Sequence, residues 1–213
     1  MRNTLFLLYI ILSMVFVGCS DNDDNLSLDR NEVSMYVGDE IIIKASYGSE
    51  NVSWKSDNDF IASVSDGLVK ANKVGETNII ASADNDAYCK VTVLPKYNLY
   101  EEPYMEWGVT KDYIREKYGE PYFESKDAMT YKENFMGYMF KDGKLVSASV
   151  MISLNKAEEL GLFIKERYYP FKVSGGSVIG FINANSTKDA TVLGSISVYS
   201  SLYYLITYQK PNL

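Results

Sequence analysis

Residues 26–95 alternate apolar and polar side chains in short runs, and turn residues break those runs at about every 8–12 positions. Ile41, Ile43 and Ala45 stand two apart, as do Ile79, Ala81 and Ala83. Gly38-Asp39, Asp66-Gly67 and Gly75-Glu76 punctuate the pattern. A period of two places every second side chain on one face of a strand. A chain that repeats it between frequent turns has few options, and the segment predicts an all-β sandwich. Trp54, in VSWKSDND, is the expected core aromatic. Cys89, Val91 and Val93 share a face in YCKVTV, so Cys89 is expected as a small buried hydrophobe.

The order LSLDRNEVSMYVGDEIIIKA, VSWKSDNDFIASVSDGLVKANKVGETNIIASA, CKVTVLP resembles a group 2 bacterial immunoglobulin-like domain. The residues that carry the resemblance include Val37-Gly38, Trp54, Ser56-Asp57, Ile61-Ala62, Gly67, Gly75 and Val91 to Val93. It implies an extracellular or envelope protein of the adhesin or carbohydrate-active kind, and it names no ligand. Both a spacer and a ligand-binding domain fit; the spacer is favoured, because the core positions are accounted for and no exposed aromatic cluster is left over.

Upstream, Met1 to Thr4 carries one positive charge, and Leu5 to Val17 is an almost unbroken apolar run. The run falls short of the roughly 20 residues that a bilayer-spanning helix needs. A charged start, a short apolar core and small residues before a cut describe a secretory signal. Here the run ends in Val17-Gly18-Cys19, which resembles a bacterial lipoprotein signal. That resemblance implies cleavage after residue 18, diacylglycerol on the Cys19 thiol, and anchorage by two or three acyl chains. A cleaved signal with an incidental cysteine is the plainer alternative. Residues 19–25, CSDNDDN, are too polar to bury and predict a solvated tether. The stretch also resembles the acidic signal of surface-exposed lipoproteins of Bacteroidetes-type bacteria; an ordinary polar spacer would look the same.

The chain contains no histidine. Ser–His–Asp and Cys–His catalysis are excluded, as is a His-based zinc site. If Cys19 is lipidated, Cys89 has no disulfide partner. No nucleotide-binding or nucleophile-elbow motif is present. Asp57-Asn58-Asp59 and Asp84-Asn85-Asp86 lack the glycine and distal glutamate of a calcium loop and read as turns. The net charge is −7, unevenly spread as −6 over residues 1–96 and −1 over 97–213. With no basic patch in the sequence, nucleic acid is not expected as a partner. The expectation is a non-enzyme without cofactor or metal.

Pro95-Lys96 ends the β pattern, and residues 97–213 mix helical and strand periods. Thr110 is placed to cap a helix that runs to Tyr118, stopped by Gly119 and Pro121. Asp142-Gly143 predicts a two-residue hairpin between strands 135–140 and 145–152. A second helix is expected from Asn155, with Glu158 completing a capping box and Ala157, Leu160, Ile164 and Tyr168 as its apolar stripe. Strands 178–183, 191–199 and 202–209 follow. The predicted fold is thus two domains: an all-β immunoglobulin-like sandwich at 26–95, then an α+β domain at 97–213 built from two helix-plus-antiparallel-strands units. WGVTKDYIREKYGEP resembles the helix and turn that open units of β-lactamase-inhibitor-like and small outer-membrane-assembly lipoprotein folds. It implies architecture and no functional residue.

Strand parity nominates a binding face. Pairing Phe140 with Leu145 and Met139 with Val146 puts Met136, Tyr138, Phe140, Leu145, Ser147 and Ser149 on one side. Pairing across a Ser200-Ser201 turn puts Tyr199, Tyr204, Ile206 and Tyr208 on one face with Ser195 and Ser197, and the shared serine-and-tyrosine character assigns that face to the same open side. The expected site is therefore Met136, Tyr138, Phe140, Tyr199, Tyr204 and Tyr208; burial under another element is the competing reading. The functional expectation is a non-catalytic envelope lipoprotein, anchored in the outer membrane through Cys19 and displayed at the cell surface. Its immunoglobulin-like spacer presents a C-terminal domain to a glycan or protein ligand. The alternatives are an enzyme or enzyme inhibitor acting through that domain, and a periplasmic envelope-assembly factor.

Overall fold

A computed structural model of the chain describes residues 25–47, 51–131, 135–173 and 178–211. The signal segment and Cys19 lie outside the described residues. Among the described residues the N-terminal half carries nine strands: β1 (Ser27–Leu28), β2 (Glu32–Tyr36), β3 (Glu40–Ile42), β4 (Ala45–Ser46), β5 (Ser53–Ser56), β6 (Ala62–Ser65), β7 (Leu68–Ala71), β8 (Gly75–Ser82) and β9 (Asp86–Leu94). One sheet runs β2-β9-β8-β5 and a second runs β3-β7-β6, with β1 and β4 pairing apart. Only β2 and β9 are parallel among these pairs.

The alternation in the sequence fills the space between the sheets. Ile43, Val69, Ile79, Cys89, Val91 and Val93 are all at most 1% exposed and form one core. Burial also pushes the Cys89 thiol up, which suits a packing role rather than a nucleophilic one. Trp54 sits on the inward face opposite Ala81, but it is half-buried at the margin rather than central. The two Asp-Asn-Asp stretches are turns: Asn58 Oδ1 accepts from Phe60 N, and Asn85 Oδ1 accepts from Leu26 N.

The C-terminal half contains α1 (Lys111–Tyr118), β10 (Phe123–Glu124), β11 (Ala128–Tyr131), β12 (Met136–Lys141), β13 (Lys144–Ser153), α2 (Ala157–Arg167), β14 (Tyr169–Lys172), β15 (Ile179–Ile182), β16 (Leu193–Val198) and β17 (Tyr203–Gln209). Its eight strands form one antiparallel sheet in the order β10-β11-β12-β13-β17-β16-β15-β14. Helix α1 ends at Gly119, whose φ of 78° only glycine adopts at little cost. A 3-10 turn at Leu154–Lys156 leads into α2, so the capping box expected at Asn155 and Glu158 does not form. The short strands β10 and β14, which no alternation in the sequence marks, form the two edges of this sheet. Pro170 lies in β14, where an edge tolerates the missing N–H.

Both helices lie on one face of this sheet. Ile114 of α1 packs with Met129, Met136, Tyr138, Phe140 and Leu145. Leu160, Phe163 and Ile164 of α2 pack with Phe181, Ile206 and Tyr208. Ala148 pairs with both Tyr138 and Tyr208, so the two clusters share a face.

The expected register fails by one residue in both hairpins. Phe140 does pair with Leu145 across the Asp142-Gly143 turn, whose φ values of 52° and 74° fit a type I′ hairpin. Beyond it, Met139 pairs with Ser147 rather than Val146, and Val146 bulges out of the ladder. Strand β12 is inverted relative to the expectation: Met136, Tyr138 and Phe140 face the helices, each 4% exposed or less. In the second hairpin Val198, not Ser197, pairs with Tyr204. Ile206 and Tyr208 therefore point under α2, and Tyr204 is half-buried against the same core.

Buried phenols dominate this core. Burial pushes Tyr100, Tyr138, Tyr168 and Tyr208 well above the ordinary tyrosine range. A raised folded pKa contributes stability that is fully present below the unfolded value of about 10 and is lost as pH rises above it. Alkaline titration of the 18 tyrosines is therefore expected to be split. Exposed phenols should ionise first and reversibly, and the buried set only together with unfolding; one smooth titration with the fold intact would contradict this packing.

Candidate functional site

The sheet face opposite the helices is open over β11, β12, β13 and β17. Cross-strand partners trace a row over all eight strands: Phe123, Thr130, Gly137, Ser149, Thr207, Ser195, Gly180, Phe171. The centre is small and hydroxylated, and each end is phenylalanine. The next row is Ala128, Met139, Ser147, Gln209, Leu193, Ile182, Tyr169. Neither row contains a charged residue, although charged residues make up 23% of the chain. At the β14 end Phe171, Ile182 and Leu193 pack with Ala184 and Ala190, which covers that part.

Over the uncovered part lies a groove of 450 Å³. Thr130, Gly137 and Ser149 form its floor, Met151 and Leu205 extend it, and Tyr122, Phe135 and Tyr199 stand at its sides. Gly137 keeps the floor low: a Cβ there would come within 2.9 Å of Ser149 Oγ. Phe135 also borders a second hollow of 340 Å³ with Tyr203 and Met151, and its ring lies 5.6 Å from that of Tyr203. Phe135 has φ of +48°, an outlier for a bulky side chain, and is 50% exposed. Strain of this kind persists where surrounding structure imposes it, and functional sites are enriched in it. Here it holds an aromatic ring out in water between two hollows.

Of the residues nominated from sequence, the structure brings two to this groove: Tyr199, 64% exposed, and Met136, 4% exposed. Met136, Tyr138, Phe140 and Tyr208 belong to the core under the helices, and Tyr204 packs beside them. Sequence reading missed Phe135, Tyr122, Gly137 and Met151. The signal for Phe135 and Gly137 was the β12 alternation itself, read in the wrong phase.

A second cluster fixes the junction between the halves. Glu166, 4% exposed, accepts from the backbone N–H groups of Lys96 (3.1 Å) and Tyr97 (3.0 Å). Its own carbonyl accepts from Val74 N at 2.8 Å, and Lys73 Nζ donates to Lys165 O at 2.6 Å. Arg167 bridges Glu166 and Glu102, and Tyr168 donates its hydroxyl to Glu102. Burial raises the Glu102 carboxyl, opposed by the Tyr168 hydrogen bond and the Arg167 charge. These groups satisfy one another, so the cluster reads as a clamp rather than a reactive site. Among the described residues no group of three or more His, Cys, Asp or Glu could hold a metal ion.

The sandwich described above also has a counterpart among known families. Residues 35–93 match the bacterial Ig-like domain (group 2). The match runs from Met35 in β2 to Val93 in β9 and takes in the whole core of the Ig-like domain. Domains of this kind occur in surface proteins. No curated protein matches the chain. The groove lies outside the Ig-like domain, on the C-terminal sheet.

Proposed function

We propose that this chain is a non-catalytic lipoprotein of the outer membrane, displayed at the cell surface through a lipidated Cys19. The Ig-like domain acts as a spacer, and the C-terminal half is an α+β recognition domain of two helix-plus-strands units. Its ligand, a glycan or a protein, lies on the open sheet face. The observation that carries this reading is the uncharged groove with Phe135 and Tyr199 standing exposed beside it. Exposed aromatics around a solvent-facing hollow supply large, rigid contact area at low entropic cost. The clamp at Glu166 supports the spacer role, because it holds the recognition domain at one angle to the Ig-like domain.

Anchorage and display are tested together. Cys19→Ala is expected to move the protein from the membrane to the soluble fraction and to abolish labelling by a fatty-acid probe. Protease added to intact cells is expected to digest the wild-type chain. A variant that stays membrane-bound and unlabelled would refute lipid anchorage. Full protection in intact cells, with digestion after lysis, would refute surface display and favour the periplasmic face.

A further inference from the structure

Where β12 and β13 turn and β17 ends, at one end of the sheet, lies a separate hollow of 460 Å³. Trp107 forms one wall and Val146, Ser147 and Gln209 form the floor, while Lys141, Lys144 and Lys210 stand around it. Two features of the fold converge these lysines. The type I′ hairpin makes Lys141 and Lys144 cross-strand neighbours. The pairing of Ser147 with Gln209 then carries Lys210 to the opposite side of the Val146 bulge.

Among the described residues no acidic side chain lines the hollow, in a chain whose net charge is −7. None of the three lysines forms an ion pair with a described residue. Asp142 sits in the turn between Lys141 and Lys144 and bridges to neither. Elsewhere on this half, Lys111, Arg115, Lys156 and Arg167 pair with carboxylates, while Lys117, Lys126, Lys165, Lys172 and Lys188 form no ion pair with a described residue and line no hollow with Lys141. Three ammonium groups line one hollow, and a bound anion would neutralise them.

We propose that this hollow binds a phosphate group. Its cations are all ammonium groups, which act as compact, rotatable point charges. A flat carboxylate is matched best by the planar fork of arginine, and no arginine is present here. A tetrahedral dianion instead accepts from several lysines at once, with the Gln209 amide as a further donor. The site stands apart from the aromatic groove and does not depend on the ligand of that groove.

Trp107 reports on occupancy, since its ring lines the hollow while its Nε1 is held by Thr191 O at 2.9 Å. The detergent-solubilised full chain is titrated with inorganic phosphate against sodium chloride of matched ionic strength, and tryptophan emission is read. Dihexanoyl phosphatidic acid and dihexanoyl phosphatidylcholine are titrated in parallel. A saturable change with phosphate is expected, weakened about tenfold or more in the Lys141→Gln/Lys144→Gln/Lys210→Gln variant. These lysines bury no core surface, so the variant should unfold at an unaltered midpoint, and Lys210→Gln alone gives a milder second test. Saturation with inorganic phosphate assigns the site to a soluble phosphate; saturation only with the phosphatidic acid assigns it to a lipid headgroup. No saturation with either, an equal response to chloride, or an unchanged response in the triple variant would overturn the proposal.

Discussion

Glu166→Ala is expected to uncouple the two halves of the molecule. The substitution leaves the N–H groups of Lys96 and Tyr97 without their acceptor and Arg167 without its nearest carboxylate, 2.5 Å away. Orphaning a buried charge costs about 3–5 kcal/mol; Arg167 keeps Glu102 at 3.5 Å, so the loss here should fall below that range. Little of the hydrophobic core is touched, so the loss should fall on the junction. Calorimetry is expected to show one transition in the wild type and two in Glu166→Ala, and trypsin to cut after Lys96 at native temperatures. Glu166→Gln retains an acceptor for one amide and should fall between the two. A Glu166→Ala chain with a single unshifted transition and wild-type protease resistance would show that the clamp contributes nothing.

Gly194→Ala is expected to damage the core under α2. A Cβ at this position would lie 1.9 Å from Phe181 Cε2 and 2.0 Å from its Cζ. Phe181 has nowhere to go: it is fully buried, with rings of Tyr168 and Tyr208 at 4.7 and 5.5 Å. Overpacking of this kind costs about 1–3 kcal/mol and sometimes more. Phe181→Ala alone opens a cavity and should cost about 3–5 kcal/mol. Combined, each change relieves the fault of the other, so the double variant should lose clearly less than the sum. Urea denaturation measures all three. Strict additivity would mean that Phe181 does not stack on Gly194.

The sandwich was legible because its alternation, its turns and its core all agree. Ile79, Cys89 and Val91 fall inward as their spacing says, and Asp66-Gly67 turns the chain where a hairpin needs positive φ at both positions. The second half defeated the same reasoning at two points. Strand β13 was read in the right phase from Ser147 onward, with Ala148 and Val150 inward. The unpaired Val146 then shifted its partner β12 by one residue, and a one-residue slip exchanges the faces completely. Apolar content could not arbitrate, because β12 carries methionine or an aromatic on both faces: Met136, Tyr138 and Phe140 within, Met139 without. Ahead of β17 the turn is one residue longer than Ser200-Ser201, since Val198 pairs with Tyr204 and Tyr199 and Ser200 both donate to Tyr203 O. The tyrosines expected at the surface were thereby drawn under α2. Glu166 was hidden for a different reason: its partners come from Lys96, Tyr97 and Val74, far away in sequence, and no local pattern marks them.

Photo-crosslinking in living cells tests the open face directly. Benzoylphenylalanine is placed at Phe135 and at Tyr199 beside the groove, and at Tyr88 on the Ig-like domain as a control of similar exposure. Tyr88 is 54% exposed, against 50% for Phe135 and 64% for Tyr199. The expected result is the same higher-mass adduct from Phe135 and Tyr199 and none from Tyr88. Adducts from Tyr88 alone, or no adduct from either groove position, would contradict recognition by this face.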